Sequence, residues 1–550
     1  MTVSATPSSS DLSSESVRSL YDQLAARLKD ISHLEGITQL LGWDQLVMMP
    51  EKAEDARSNQ ASLLAGISHD METSPILGAL LVELNRRQLT EDLSYQLNSH
   101  ELANIRLAHK TYKEQTLIPT ELVKASSTAT TKSVSAWEEA RETSDFSKFA
   151  PFLEEQIQLI RQTVAYKMKG GICEEAGRIN KKARASLGLS EDDECFKGYY
   201  QVLLDEHEPG FRVSRLEALF SDLKQHLAPL IAKIKAKNFQ HENGFLKGDF
   251  DVEKQAELSH LVCKKMGFDT DAGRLDVSTH PFTGGPHPTD IRMTTRYAVD
   301  NFQEGITGTM HETGHALYEQ GRNKEYADTP VSQSISLGVH ESQALLWERM
   351  VALSKPFWTY TLPLLKELFS NHDNLQAVTP EQCYNAFNRV EPGFNRIEAD
   401  EVTYPMHVIL RYEIEKALVE GDIHVADVPA LWNAKMKECL GLEVTEDRIG
   451  CLQDTHWAIG LIGYFPTYTL GSIYAVQIFD TAREAIPDLD EHIAKGEFHV
   501  LKKWLNESIH EQGSLRESGD DLIFDLTGKH LDSSLYVKYL TDKYTAIYDL

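Results

Sequence analysis

Apolar residues recur every three or four positions over most of the chain, which is the spacing of amphipathic helices. The first run begins at Val17, continues through Ile31 and ends near Met49-Pro50, where proline restricts the backbone. The same spacing, with charged residues on the opposite face, recurs over 53–67, 93–114, 153–167 and 213–237. The pattern predicts a mainly helical protein.

Strand signals are few, and the best two lie at 274–282 and 291–297. Residues 283–288 between them are rich in Gly and Pro and are expected to form a loop. We therefore expect a small hairpin or sheet ahead of the next helical segment. The sequence Glu-Pro-Gly-Phe occurs at Glu208 and again at Glu391. Two copies of a turn signal are more often coincidence than duplication.

One uncharged stretch, 457–479, is long enough to cross a bilayer. Three glycines and Pro466 interrupt it, and several Thr, Ser and Gln residues add polarity. We interpret it as a buried helix pair with a bend near Pro466 rather than as a membrane span.

Composition narrows the classes of partner. With 55 basic and 83 acidic residues the formal net charge is −28, which disfavours binding to nucleic acid or to an anionic membrane. The 6 cysteines form no Cys-x-x-Cys pair, so neither a disulfide framework nor a thiolate zinc site is expected. A reducing compartment, the cytoplasm, is therefore predicted.

Residues 1–16 are rich in Ser and Thr and lack both the apolar core of a signal peptide and the arginines of a transit peptide. We interpret them as a disordered leader. No composition change marks a domain boundary within 17–550, so we expect these residues to form one unit.

The candidate chemistry centres on His311-Glu312-Thr313-Gly314-His315, a His-Glu-x-x-His motif in a segment with helical character. On a helix, His311 and His315 share one face and suit a single Zn²⁺. Glu312 lies about 100° round the turn and could hold a water without being a ligand. The alternative is a chance pattern in which the two histidines are structural.

A catalytic zinc site needs a third protein ligand. A third histidine six residues on is excluded, because Gly321 stands at that position. In 336–350, Glu341 projects into an otherwise apolar helical stripe and is the predicted third ligand. Its rivals are weaker: Glu348 lies two turns further along the stripe, whereas Glu319 and Glu325 are expected to be solvated. His340 is expected to point elsewhere, behind a ligand or towards the substrate.

With these ligands, Glu312 is the predicted general base of a metal-assisted peptide hydrolysis. The developing oxyanion needs further donors, and His456, Tyr464 and Tyr468 provide an imidazole and two phenols in an otherwise apolar region. The alternative is that each is an ordinary core residue with a satisfied polar tip.

Six motifs then occur in the order found in one known family. They are His280-Pro281-Phe282, Asp290-Ile291-Arg292-Met293-Thr294, His311-Glu312-Thr313-Gly314-His315, His340-Glu341-Ser342-Gln343, Arg396-Ile397-Glu398-Ala399-Asp400 and Gly450-Cys451-Leu452-Gln453-Asp454-Thr455-His456-Trp457. Through them, from about Val17 to the C-terminus, the sequence resembles the carboxypeptidase Taq family of zinc metallocarboxypeptidases.

The resemblance implies an exopeptidase of broad specificity that removes single residues from peptides with a free C-terminus, using one Zn²⁺ or Co²⁺ per subunit. It implies a homodimer whose catalytic domain, residues 17–550, is a single elongated and mainly helical body. A deep central groove and a small β element would lie next to the zinc helix.

For the site, the resemblance implies that His311, His315 and Glu341 are the metal ligands and that Glu312 is the base. Arg396 resembles a clamp for the substrate's terminal carboxylate, a role that a planar guanidinium suits. His456 and Tyr468 resemble transition-state donors, with Tyr464 as a companion. Arg292 is expected to serve the substrate or the fold, and His280 is expected on the substrate side.

One position departs from the family pattern, because Asn395 precedes Arg396 where the family usually has Ile or Val. Asn395 could alter the setting of Arg396 and hence which peptides fit. Two alternatives to the carboxypeptidase stay open at this stage. One is an endo-oligopeptidase or dipeptidyl carboxypeptidase on a similar scaffold, and the other is a catalytically silent helical scaffold that binds peptides.

Overall fold

Helices dominate the computed structural model, which describes residues 12–90, 93–169 and 198–550. Up to residue 270 they are α1 (Val17–Val47), α2 (Glu54–Glu72), α3 (Pro75–Thr90), α4 (Ser99–Leu117), α5 (Thr120–Thr143), α6 (Phe146–Lys169), α7 (Tyr199–His207), α8 (Val213–Ala236) and α9 (Val252–Met266).

After the strands follow α10 (Phe302–Gly321), α11 (Leu337–Leu345), a π-helix (Leu346–Ala352), α12 (Lys355–Leu368), α13 (Asp373–Gln376), α14 (Pro380–Phe387), α15 (Tyr404–Glu420), α16 (Val428–Leu440), α17 (Phe465–Ala485), α18 (Leu489–Ala494), α19 (His499–Ser508), α20 (Gly519–Thr527) and α21 (Ser533–Tyr548). The prediction of a mainly helical protein is confirmed.

Local capping explains where one predicted helix divides. The segment 93–114 was expected to be continuous, but a short 3₁₀ turn at Leu93–Tyr95 precedes α4. The Asn98 side chain accepts from the backbone of Glu101, and the Glu101 side chain accepts from the backbone of Asn98. This reciprocal capping box fixes the helix start after the predicted one.

The expected small β element is present as a three-stranded sheet rather than as a simple hairpin. Strands β1 (Gly273–Val277), β2 (Thr283–His287) and β3 (Asp290–Thr295) lie in the order β1-β3-β2. β1 pairs with β3 in parallel, and β2 pairs with β3 antiparallel, with an irregularity between Gly284 and His287. The predicted loop at 283–288 was therefore wrong, since pairing with β3 overrides the weak strand propensity of Gly and Pro.

The uncharged segment also differs from its prediction. Pro466 lies in the first turn of α17, where its missing N–H is harmless, and it does not bend a helix pair. Residues 457–464 are turns and coil that precede α17. Among the described residues, no helix combines the length and apolar character that a membrane crossing requires.

Two apolar clusters organise the packing. A large one draws on residues from α5 to α21, and a smaller one is built mainly from α1, α3 and α4. Leu12, within the predicted leader, is 2% exposed and belongs to the smaller cluster. Residues 1–11 of that leader lie outside the described residues, and the division into a leader and one catalytic domain stays a prediction.

Candidate metal centre

The ligand atoms of His311, His315 and Glu341 all lie within 4.8 Å of one another. The histidines come from α10 and the carboxylate from α11. Nε2 of His315 is 3.5 Å from Oε2 of Glu341, and Nε2 of His311 is 4.0 Å from Oε1. Two imidazole nitrogens and one carboxylate form a donor set that suits a divalent metal such as zinc and leaves a position for a water or a substrate.

Two glycines allow the helices to approach this closely. A Cβ on Gly314, between the two histidines, would lie 2.6 Å from the Cα of Ala344 on α11. A Cβ on Gly471 of α17 would lie 2.7 Å from Cγ of Glu341. Helices α10 and α17 therefore pack against α11 at the turns that carry the site, which places Glu341 opposite the two histidines.

Negative charge makes this pocket favourable for a cation. Glu348, in the π-helix, places Oε2 2.7 Å from Nδ1 of His311, on the ring edge away from Glu341. Burial lowers the pKa of His311, but the carboxylates of Glu341 and Glu348 outweigh burial and raise it to about 10. Burial likewise raises the pKa of Glu341, yet the neighbouring His311 lowers it to about 2. A divalent ion would meet the same attraction as the imidazolium does.

Glu348 forms the carboxylate–histidine pair that commonly orients a metal-binding imidazole. We expect Glu348→Gln to weaken metal affinity by about 10- to 100-fold, because the amide cannot match the charge that fixes the ring. Titration of the variant with Zn²⁺ in competition with a chelator measures this. Wild-type affinity in the variant would show that Glu348 does not orient His311.

Glu312 lies beside the predicted ligands, and its carboxylate is held by a residue of the sheet. Thr283 of β2 donates its hydroxyl to Oε2 of Glu312 at 2.6 Å, and the same hydroxyl lies 3.0 Å from the backbone oxygen of Glu312. Glu312 is 6% exposed, and burial raises the pKa of its carboxyl. A raised pKa makes this carboxylate a better proton acceptor near neutral pH.

The residues after His315 correct one prediction. Glu319 is not solvated: Nε2 of His340 lies 2.9 Å from its Oε1, and Nη1 of Arg322 donates to Oε2 at 2.8 Å. The ring of His340 in turn stacks on that of His315, with centroids 4.4 Å apart. His340 therefore packs behind a predicted ligand. Glu325 is exposed, as expected.

The predicted oxyanion donors lie together at the start of α17. Nε2 of His456 is 3.1 Å from the hydroxyl of Tyr468, and the rings of Tyr464 and Tyr468 are 5.3 Å apart. Burial lowers the pKa of His456 to about 3. Burial, together with the charge of Glu341, raises the pKa of Tyr464 to about 12. These groups are neutral at pH 7, so the two phenols keep the protons that they could donate.

Arg396 is 6% exposed and is fixed by a carboxylate from a distant part of the chain. Its Nε and Nη2 donate to Oδ1 of Asp454 at 3.1 and 3.0 Å. Arg411 donates to Oδ2 of the same residue at 2.6 Å. Two arginines thus share one aspartate, and the cluster keeps a positive charge. Nη1 of Arg396 points away from Asp454, 3.5 Å from the hydroxyl of Tyr404.

Arg396 also adjoins the predicted donors, since its guanidinium carbon lies 4.6 Å from the ring centre of Tyr468. Asn395, the unusual neighbour, bonds within its own loop. It accepts from the backbone N–H of Ile397 at 3.1 Å and donates to Glu398 at 2.9 Å. This Asx-type turn shapes the backbone that leads into Arg396.

The other two predicted substrate residues have different surroundings. Arg292 donates to Asp290 at 2.9 and 3.0 Å and stacks over Trp43, 4.4 Å from its ring centre. These contacts join the sheet to α1. His280 is exposed in the loop between β1 and β2. The contacts of Arg292 are those of a fold residue, and a substrate role for either one stays a prediction.

Several contacts around the candidate site were not predicted from the sequence. Thr283 was assigned to a loop and Glu348 was ranked below Glu341, although its place on the same stripe was a usable signal. Asp454 was quoted only as part of a motif. Tyr404, at the start of α15, gave no local signal.

The chain matches the family model described as Carboxypeptidase Taq (M32) metallopeptidase over residues 23–173 and 181–544. Carboxypeptidase 1 of Bacillus subtilis is 36% identical over 521 residues, which cover 95% of this chain and 97% of that protein. Thermostable carboxypeptidase 1 of Thermus thermophilus is 36% identical over 530 residues, which cover 96% of this chain and 99% of that one.

The solved structures agree. The M32 carboxypeptidase from Deinococcus radiodurans R1 matches with a TM-score of 0.88 at 32% identity, covering 97% of this chain and 100% of that one. Metallocarboxypeptidase 1 of Trypanosoma cruzi matches with a TM-score of 0.85 at 34% identity, covering 96% and 99%. With whole-chain matches of this kind beside a His-Glu-x-x-His cluster, the chain belongs to the carboxypeptidase Taq (M32) family and is a metallocarboxypeptidase.

Proposed function

We propose that this metallocarboxypeptidase removes single amino acids, with broad specificity, from peptides that have a free C-terminus. It would use one Zn²⁺ per subunit, or Co²⁺ in its place, held by His311, His315 and Glu341. The observation that carries the proposal is the convergence of these three donors within 4.8 Å. The buried carboxylate of Glu312 interacts electrostatically with His311 and Glu341.

When bound there, a divalent ion would act as a Lewis acid that polarises the scissile carbonyl and makes water more acidic. The chain's own contribution to proton transfer is Glu312. Thr283 holds one carboxylate oxygen, at 2.6 Å, which leaves the other to take the proton of the attacking water. The same carboxyl then returns the proton to the leaving amine.

The phenols of Tyr464 and Tyr468 and the imidazole of His456 form the proposed oxyanion site. The side chains of Tyr468 and His456 are bonded at 3.1 Å, so their relative orientation is set before substrate arrives. Burial removes competing water, which strengthens a hydrogen bond to a developing negative charge.

Arg396 is the residue proposed to bind the free C-terminal carboxylate of the substrate. Asp454 fixes two of its nitrogens, and Arg411 supplies a second positive charge to the same aspartate. The remaining edge of Arg396 can donate to a carboxylate, whereas an amidated terminus brings no charge to balance it. This arrangement favours an exopeptidase over an endo-oligopeptidase.

Arg396→Ala should lower kcat/KM for peptides with a free C-terminus by about 100-fold or more, since a charged hydrogen-bonded partner is lost. Activity on amidated peptides, already low, should change little. Comparing both peptides in wild type, in the variant and in Arg274→Ala, an arginine on the outer strand β1, measures the effect. Equal losses on both peptides would place the carboxylate clamp elsewhere.

The function as a whole is tested by amino-acid release from an unblocked peptide before chelation, after chelation and after reloading with Zn²⁺ or Co²⁺. We expect release to stop on chelation and to return with Zn²⁺. No metal-dependent release would favour a silent peptide-binding scaffold, and internal cuts or dipeptide products would favour the endopeptidase or dipeptidyl alternative.

We further propose a homodimer. Four exposed apolar side chains lie on α1 and α2, which pack against each other: Ile37, Leu46, Leu63 and Ile67 are 50%, 63%, 66% and 40% exposed. Exposed apolar surface is typical of a protein interface. Sedimentation of wild type and of a Leu63→Glu, Ile67→Glu variant tests it. A monomeric wild type would contradict the proposal.

A cytoplasmic location is proposed from the thiols. Cys263, Cys383, Cys439 and Cys451 are all free and buried, as suits a reducing compartment. Cell fractionation with compartment markers tests this, and recovery in a secreted fraction would refute it.

A further inference from the structure

The two Glu-Pro-Gly-Phe segments have different surroundings. In the second, the side chain of Glu391 is 72% exposed and pairs with Arg389. In the first, Glu208 is 1% exposed and follows directly after α7. Only the first copy therefore places its carboxylate inside the protein.

The Glu208 carboxylate joins two helices of the metal centre. Oε2 accepts from the backbone N–H of Gly338, in the first turn of α11, at 3.1 Å. Oε1 accepts from the hydroxyl of Tyr474, on α17, at 2.9 Å. Ser336, the residue that caps α11, also lies near this carboxylate and lowers its pKa. Two donors, one from each helix, thus converge on one carboxylate, which suits an acceptor-only group.

The surrounding residues leave room for this carboxylate. A Cβ on Gly338 would overlap Oε2, and a Cβ on Gly519 would lie 2.8 Å from Oε1. Neither glycine has a positive φ. Glycine is therefore needed at these two positions because it has no side chain, and not because of its backbone conformation. The carboxylate also lies at the N-terminal end of α11, where the helix dipole favours negative charge.

No ion pair compensates Glu208 within the described part of the chain. Burial raises the pKa of Glu208 to about 7, and Ser336 together with the hydrogen bonds donated by Tyr474 and Gly338 partly offsets the increase. A buried carboxylate without a cation is costly for stability. A role in holding the two helices together would explain its presence.

The two residues that bond to Glu208 lie close in sequence to residues of the candidate metal centre. On α11, Gly338 is about one turn from Glu341. On α17, Tyr468, Gly471 and Tyr474 follow at three-residue spacing on one face, and Gly471 contacts the Glu341 side chain. The bonds at Gly338 and Tyr474 therefore set how Glu341 lies against the turn that carries Tyr468.

We propose that Glu208 is a positioning residue that locks α11 against α17 and so fixes the metal ligand Glu341 relative to the donors Tyr464 and Tyr468. This inference rests on the proposed roles of those three residues. It assigns Glu208 no contact with substrate or metal.

The test is a double-mutant cycle of Glu208→Gln and Tyr474→Phe in the Zn²⁺-loaded enzyme. Each change should lower kcat by about tenfold with KM changed less than about twofold, since misplacement by a fraction of an ångström acts on the transition state. The double variant should be no worse than the poorer single one. Glu208→Gln should also bind Zn²⁺ more weakly, as measured by chelator competition without any assay of activity.

Glu83→Gln is the matched control. Glu83 is a buried carboxylate too, 8% exposed, but its partners are Arg86 and Arg87 on α3. The Glu83→Gln variant should have lower thermal stability than wild type but the same kcat and the same Zn²⁺ affinity. Wild-type kcat and Zn²⁺ affinity in folded Glu208→Gln would overturn the proposal, as would losses equal to those of Glu83→Gln.

Should Glu208→Gln not fold, Tyr474→Phe carries the test alone, because it keeps the carboxylate and its bond to α11. Wild-type kcat and Zn²⁺ affinity in that variant would refute the lock. The two proposals fail in different ways: inactive wild-type enzyme contradicts the proposed function, whereas wild-type kcat together with wild-type Zn²⁺ affinity in the variants contradicts the role of Glu208.

Discussion

Glu312→Gln is expected to lower kcat by a factor of about 10² to 10⁴ while Zn²⁺ still binds with wild-type affinity. The amide keeps the size of the carboxylate and can still accept the 2.6 Å hydrogen bond from Thr283. It cannot take a proton from the attacking water. Because Glu312 is outside the proposed ligand set, the loss should fall on turnover and leave the metal in place.

The measurement is steady-state turnover of an unblocked peptide together with metal content per subunit. Glu304→Gln is a suitable control, because Glu304 is on the same helix and pairs with Arg296, away from the ligands. Turnover near wild type in Glu312→Gln would assign the base to another group. Loss of metal along with turnover would instead make Glu312 a contributor to metal binding.

Glu341→Ala is the second variant for which we expect a large effect. It should lose most of its affinity for the metal. Removing a residue that only orients a ligand costs about 10- to 100-fold in metal affinity, so removing a ligand should cost more than about 100-fold. The remaining histidines would then provide two donors, fewer than a catalytic zinc site requires. Peptide hydrolysis should fall in parallel.

Chelator competition on wild type, Glu341→Ala and Glu348→Gln compares their affinities for Zn²⁺. The expected order of affinity is wild type, then Glu348→Gln, then Glu341→Ala. The reverse order would make Glu348 the ligand and Glu341 its support. Both carboxylates lie near His311, at 4.0 Å for Glu341 and 2.7 Å for Glu348, so the result decides between two definite arrangements.

Local sequence was sufficient for much of the helical framework and for the placement of the central cluster. Helix α1 begins at Val17 and α8 at Val213, as the apolar spacing predicts. The four-residue spacing of His311 and His315 sets their shared face, and the polar residue in the apolar stripe of α11 singles out Glu341. Each of these features depends on neighbours within a few turns of one helix.

Other features depend on contacts between distant segments. β2 forms because β3 pairs with it, although Gly284, Gly285 and Pro286 have weak strand propensity. Arg396 and Asp454 are 58 residues apart in sequence. Spacing along a helix cannot indicate such a pair.

The contact of Glu348 with His311 was not predicted, for a geometric reason. Counting turns from Glu341 placed it too far along the stripe to reach the same metal. The helix changes to π geometry at Leu346–Ala352, and Glu348 meets Nδ1 of His311 from the opposite ring edge. π-helical turns are common at functional sites, but a single sequence does not reveal them.

The central claim is that this enzyme takes one residue at a time from a free C-terminus in a metal-dependent way. Its most direct test is mass spectrometry of the first products from a matched pair of peptides, one with a free and one with an amidated C-terminus, incubated with Zn²⁺-loaded enzyme. The account predicts successive loss of single C-terminal residues from the free peptide and far slower cleavage of the amide. Equal cleavage of both peptides, or a dipeptide as the first product, would contradict it.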